Sequence, residues 1–181
     1  MSTGVNFLCC DQCGYNPGRP RMKQMTLTIR PADQSDLDVL VALNGEVQTL
    51  HHQALPHLFK PVTGGQASKA LFAQLLGDTA NRFLLAMLDA SAAGYLFCET
   101  REREETALTY ANRSLYIHHL GVAQAYRRQG IGRALMAAAQ AVAAESAISR
   151  IEVDFWTFNE DARAFYAAQG FVSFNERWWR A

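Results

Sequence analysis

Six consecutive residues, Arg127, Arg128, Gln129, Gly130, Ile131 and Gly132, have the types and spacing to hold a pyrophosphate. Two glycines let the backbone turn tightly and approach an anion with no Cβ in the way. Where a helix follows, the N–H groups of its first turn point at the phosphate oxygens, and the positive end of the helix dipole adds to the attraction. Arg127, Arg128 and Arg133 supply charge and fork-shaped donors. Taken alone, the string also suits a plain surface turn before a helix. It is not a dinucleotide-binding fingerprint, which needs a third glycine where Leu135 stands. Nor is it a Walker loop, because no Gly-Lys-Ser or Gly-Lys-Thr occurs.

The flanking sequence provides elements that could position this loop. Residues 114–122 read as a strand before it, and the alanine-rich run 131–145 as a helix after it. An apolar strand at 151–155 follows, then Asn159, a helical run at 161–169, and Gly170-Phe171. Upstream, a short strand at 27–30 leads to Ser35, which with Asp38 reads as a capping box. The stripe Leu37, Leu40, Leu43, Val47, Leu50 has helical period and predicts a helix facing a core. Pro56, Pro61 and Gly65 mark a loop before a second helix at 67–76. Runs 82–88 and 94–100 predict a hairpin turning at 89–92, the charge run 101–105 a solvated strand end or loop, and 172–180 a final strand. Strands alternating with helices in the second half, after a hairpin in the first, predict an α/β sandwich with a mixed sheet.

Two motifs in this order carry a family resemblance. Arg-x-x-Gly-x-Gly at 127–132, followed by Asn159, Tyr166 seven residues on and Gly170-Phe171, resembles the two signature motifs of the GCN5-related N-acetyltransferase (GNAT) superfamily. The similarity runs from about Thr26 to the C-terminus and includes the Ile-Arg-Pro-Ala start at Ile29. It implies a mixed, largely antiparallel sheet flanked by helices, with a central parallel strand pair, 114–122 and 151–155, that splays apart. The pantetheine arm of acetyl-CoA would enter that gap like an extra strand and pair with backbone groups of Leu120 and Val122, while residues Arg127 to Arg133 take the pyrophosphate. By the same resemblance Tyr166 protonates the departing CoA sulfur, with aromatic packing beside Phe165 as the plainer reading. Asn159 is placed for a CoA amide contact and equally suits a helix N-cap.

Acyl transfer to an amine also needs a base, because an alkylammonium titrates near the lysine value, about 10.4. His118 and His119 are adjacent on the predicted strand, so strict alternation sends their side chains to opposite faces. His118 shares the parity of Val122 and stands where the family often has an acid, which makes it the first candidate. A hydrogen-bonded core histidine is the alternative. Asp154 is the rival base, five residues before Asn159 where some relatives have a glutamate; the shorter side chain weakens that case. Glu46, His51, His52 and His57 surround the end of the first helix, a region that in this superfamily walls the acceptor site. Glu46 is the candidate to hold a cationic amine, and the histidines do not form a compact metal set.

The 181 residues predict one domain at 25–181, preceded by a loose polar extension at 1–24. With 17 basic and 17 acidic side chains, the formal net charge of zero argues against non-specific nucleic-acid or membrane binding. No apolar run approaches the roughly 20 residues of a membrane span. Cys9, Cys10 and Cys13 lack a fourth ligand nearby, so no metal is expected; Cys98 reads as a buried reduced thiol and the setting as cytoplasmic. The expected activity is acetyl-CoA-dependent N-acetylation of a primary amine. Transfer of a longer acyl group, acylation of a protein amine, a non-catalytic acyl-CoA-binding module and a nucleotide-binding protein are the alternatives. Tyr166 favours an enzyme. Phe174, Trp178 and Trp179 in the final segment predict a homodimer.

Overall fold

The chain's apolar runs become a five-stranded sheet in a computed structural model that describes residues 25–63 and 65–180. The extension at 1–24, with its three cysteines, lies outside the described residues. The elements run β1 (Leu27–Pro31), α1 (Leu37–Ala54), α2 (Gln66–Leu76), β2 (Asn81–Leu88), β3 (Ser91–Arg103), β4 (Asn112–Val122), α3 (Ile131–Glu145), β5 (Arg150–Val153) and α4 (Glu160–Ala168). Strand order follows the chain: β1 to β4 pair antiparallel, and β5 joins β4 in parallel. The mixed, largely antiparallel sheet is the one expected.

β2 and the part of β3 from Ala92 to Cys98 are apolar almost throughout because both sheet faces are covered there, whereas β3 ends in the charged, more exposed run 99–103. On one face Leu84, Ala86, Leu96, Cys98, Leu115 and Ile117 meet Leu135, Met136, Ala139 and Ala143 of α3. On the other, Phe83, Leu85, Tyr95 and Phe97 meet Leu40 and Leu43 of α1 and Phe72 of α2. The helical stripe of α1 is right at its centre and fails at its end, where Leu50 is 44% exposed.

Three local expectations are corrected. The capping box before α1 is built by Asp33 and Asp36, not Ser35 and Asp38. Asp36 takes the Asp33 N–H at 3.0 Å and both forks of Arg30 at 2.7 Å, so the turn starts two residues early. The hairpin turn is tighter than 89–92: Asp89 adopts a left-handed φ of 53° and β3 begins at Ser91. Finally, 172–180 forms no strand. Strand character needs a ladder partner, and the contacts of this segment among the described residues are those of side chains: Phe174 under Arg150, Trp179 against His57 and Trp178 Nε1 donating to Glu176 at 3.1 Å. Phe174, Trp178 and Trp179 remain 72–86% exposed.

Candidate active site

A β-bulge in β4 organises the site. Phe97 pairs with His119 and Cys98 with Ile117, leaving His118 without a cross-strand partner on β3. The extra residue reverses the side-chain alternation. Leu115 and Ile117 before it, and Leu120 and Val122 after it, all pack on the α3 side. Both histidines therefore turn to the opposite face: His118 stacks on Phe97 at 4.5 Å, and His119 meets the same ring edge-on at 5.8 Å. The expected split of His118 and His119 between faces, and the shared face of His118 and Val122, are both overturned by this one inserted residue.

The bulge also opens the sheet. Parallel pairing of β4 with β5 runs from Ser114–Arg150 to Ile117–Val153 and stops there. Beyond it, Leu120 and Val122 continue to pair with β3 on one edge, while β5 no longer lines the other. The splay inferred for the parallel pair is thus located at His118. The Val122 carbonyl already accepts from Arg127 Nε at 3.1 Å.

Past the splay, the chain passes through a single 3₁₀ turn into α3. Arg128 and Gly130 both take left-handed φ values, 62° and 82°. No side chain caps α3, so the N–H groups of its first turn are left for an anion or water. The two glycines do different jobs. Gly130 has open space where a Cβ would be, and its φ is what excludes other residues. A Cβ on Gly132 would come within 3.2 Å of Phe165, so this glycine lets α3 sit against α4. The arginines also divide. Arg127 is a strut, bonded to Val122 and 3.4 Å from Glu46, whereas Arg128, 3.4 Å from Asp161 on α4, and Arg133 stand exposed beside the helix start. Gln129 is likewise exposed, while Ile131 is buried and anchors α3. An uncapped helix start between exposed arginines fits a pyrophosphate.

Tyr166 lies on α4 among Phe155, Phe165 and Phe171, only 6% exposed. Burial pushes its phenol up to about 12, so it holds its proton at neutral pH. Its hydroxyl has no protein partner among the described residues, yet no fully enclosed polar side-chain atom there is unpaired. The hydroxyl therefore retains an opening to the surface. Asn159 caps α4, its Oδ1 accepting from the Ala162 N–H at 3.0 Å, which leaves its amide nitrogen uncommitted to the cap.

Across the sheet, His118 Nε2 lies 2.8 Å from Glu99 Oε2, which also accepts from Arg101 Nε at 2.9 Å. Burial alone would raise the Glu99 carboxyl; the bonds from Arg101 and His118 overcome that and hold it below the usual range. An ionised Glu99 accepts from Nε2–H, which leaves the Nδ1 lone pair of His118 to take a proton. The ring is also held edge-on by Tyr116 at 4.8 Å. The Tyr116 hydroxyl donates to Asp154 at 2.8 Å, and burial followed by that bond raises its phenol to about 12. His119 is different. Burial, then the charges of His118 and His51, push it down to about 4, and its Nδ1 is 3.2 Å from Tyr95 Oη, which donates to Asn44. Glu46 accepts from the Gln124 N–H at 2.9 Å and pairs with Arg127, tying α1 to the loop after β4.

Glu99 and Tyr116 escaped sequence reading because neither sits in a motif; only the cross-strand register brings them to His118. His51, His52 and His57 are dispersed among ring and backbone contacts. Among the described residues no cluster of His, Cys, Asp or Glu is set to hold a metal ion, and no helix is long and apolar enough to cross a membrane.

A bulged, splayed parallel pair followed by an uncapped helix start is the arrangement that the acetyltransferase resemblance implies. The acetyltransferase (GNAT) family model matches residues 49–171, and the chain belongs to that family. Solved structures share the fold at low identity. A variant of the BH1408 protein from Bacillus halodurans matches with TM-score 0.81 and 20% identity, over 84% of this chain and 98% of that one. The aminoglycoside N-acetyltransferase AAC(6')-Iy, in complex with CoA, gives 0.71 and 16%, over 88% and 96%. The aminoglycoside 6'-N-acetyltransferase AAC(6')-Ih from Acinetobacter baumannii gives 0.67 and 22%, over 86% and 97%.

Proposed function

We propose that this protein is an N-acetyltransferase that moves an acetyl group from acetyl-CoA to a primary amine by direct attack. The observation that carries the reading is the β4 bulge, which sets His118 where the pairing of β4 with β5 ends. Bound acetyl-CoA supplies an activated acyl group on a thiol that can leave. The first-turn N–H groups of α3, with Arg128 and Arg133, bind its pyrophosphate. The free edge of Leu120 and Val122 orients the pantetheine arm, with the Asn159 amide nitrogen as a further donor. Residue His118, oriented by Glu99, takes the proton from the attacking amine at Nδ1. Tyr166 gives its phenolic proton to the departing sulfur. Asp154 is the lesser candidate for the base, being already bonded by Tyr116.

Release of free thiol from acetyl-CoA in the presence of an amine panel tests the reading. Acetyl-CoA binding without thiol release on any amine would favour a non-catalytic acyl-CoA module. The homodimer proposal also stands on the exposed Phe174, Trp178 and Trp179, now as an irregular segment instead of a strand. Light scattering at micromolar concentration tests it, and a monomer there defeats it. The buried free thiol of Cys98, held up to about 11 by burial, supports a reducing, cytoplasmic setting.

A further inference from the structure

The face of the splay opposite Tyr166 carries an aromatic cluster drawn from two distant segments. From the end of α1 and its loop, His51 stacks on Phe59 at 4.8 Å. From the connection between β5 and α4, Phe158 meets His51 edge-on at 5.8 Å and Trp156 meets Phe59 at 5.2 Å. This connection begins directly after Val153, where pairing with β4 ends, so the rings bridge the mouth of the splay. The charge of His51 also bears on the imidazole of His119, the residue after the bulge. Trp156 keeps 41% of its surface exposed despite these contacts.

The charges nearby are nearly all balanced. Glu99 is held by Arg101 and His118, Glu46 by Arg127, and Glu152 by Arg150 at 2.8 Å. Asp154, two residues before Trp156, has no ion-pair partner among the described residues: it accepts from the neutral hydroxyl of Tyr116, while Arg101, 3.4 Å over the Tyr116 ring, pairs with Glu99. One carboxylate without an ion-pair partner suits one ammonium group, and the rings of the segment that follows it suit a flat apolar body and attract a cation over their faces. A ligand with several ammonium groups would have to lose the solvation of the rest without compensation.

We propose that Asp154, Trp156, Phe59 and Phe158 form the acceptor site, and that its substrate class is the singly charged arylalkylamine. This rests on the N-acetyltransferase reading, deepens it, and departs from the aminoglycosides named for some structural neighbours. Binding of phenethylamine, propylamine and kanamycin to the protein saturated with CoA, followed by calorimetry, tests the site without turnover. Phenethylamine is expected to bind at least about tenfold more tightly than propylamine, as burial of a ring predicts, and more tightly than kanamycin. Trp156→Ala should abolish the preference between the first two, and Phe59→Ala should reduce it. Asp154→Asn should weaken both alike. Equal binding of phenethylamine and propylamine, tighter binding of kanamycin, or a preference untouched by both ring substitutions overturns the proposal. A parallel thiol-release assay with acetyl-CoA separates the two ideas. Selective phenethylamine binding without thiol release keeps this site and defeats the acetyltransferase reading, whereas thiol release without selectivity does the reverse.

Discussion

The two faces of β4 at the splay are built from different materials. On the α3 side the working parts are backbone: an uncapped helix start, a free strand edge, and one phenol among aromatic rings. On the α1 side they are side chains in mutual contact, with His118, Glu99, Tyr116 and Asp154 linked in series. A backbone site presents the same groups whatever the surrounding side chains, which suits a donor of fixed chemistry. A side-chain site is particular to its chain, which suits the choice of acceptor. Substitutions on the α3 side should therefore damage donor handling for every amine, and those on the α1 side should change how amines bind or how the rate depends on pH.

The largest effect is expected from Tyr166→Phe. It removes one proton donor and keeps the ring that packs on Phe155, so acetyl-CoA affinity should hold while turnover falls about 10²–10⁴-fold. Single-turnover kinetics with direct measurement of donor binding separates the two. Unchanged turnover with chemistry rate-limiting would leave Tyr166 a packing residue. On the other face, His118→Ala should cost about 10²-fold and remove the ascending limb of the pH–rate profile. His119 cannot supply that limb near neutrality, because its imidazole has been pushed down to about 4. Asp154→Asn should keep the limb; its loss there, with survival in His118→Ala, would transfer the base to Asp154.

A smaller effect tests the backbone side. Gly130→Val meets no neighbour within 4 Å, so any damage must come from its φ of 82° and not from a clash. A left-handed conformation costs an ordinary residue roughly 1–2 kcal/mol, more when β-branched. If this strain shifts the loop away from its binding geometry, acetyl-CoA affinity should fall by about tenfold for all acceptors equally. Retention of parental affinity by the folded variant would place the pyrophosphate elsewhere.

The same division explains what could be read from residues alone. Glycines at a loop, a helical stripe and apolar strands are local demands of the backbone, so the glycine loop before α3, the helix that carries Tyr166 and the mixed sheet were all legible. The bulge was not. His118 and His119 look like two alternating strand residues, and the insertion is decided by the register with Phe97 and Cys98 on another strand. The shift of the cap from Ser35 to Asp33 has the same origin, because Asp36 is fixed by Arg30 across the turn. The tail from 172 to 180 shows the converse, with strand-forming residues and no ladder partner. Phe59 and Trp156 meet across the fold and belong to no shared motif.

The last effect concerns stability, not activity, on the side-chain face. His119 is neutral in the folded protein, held there by burial and by the charges of His118 and His51, with its imidazole at about 4 against 6.5 when free. Between these values the unfolded chain binds a proton that the folded chain refuses. Stability is then fully present above about pH 6.5, falls as the pH drops toward 4, and loses no more from this group below that. The full difference is on the order of 3 kcal/mol, of which only part is lost by pH 5. Asp36 loses its contribution at still lower pH, because Arg30 depresses its carboxyl, so the two effects separate along the pH axis. Urea unfolding at pH 7.5 and pH 5 should show the native protein losing stability across this interval. His119→Gln keeps a polar group beside Tyr95 and cannot titrate, so its loss over the same interval should be clearly smaller. Equal losses in the two proteins would mean that His119 accepts its proton in the folded state, and the polar face of β4 would be wetter than its burial implies.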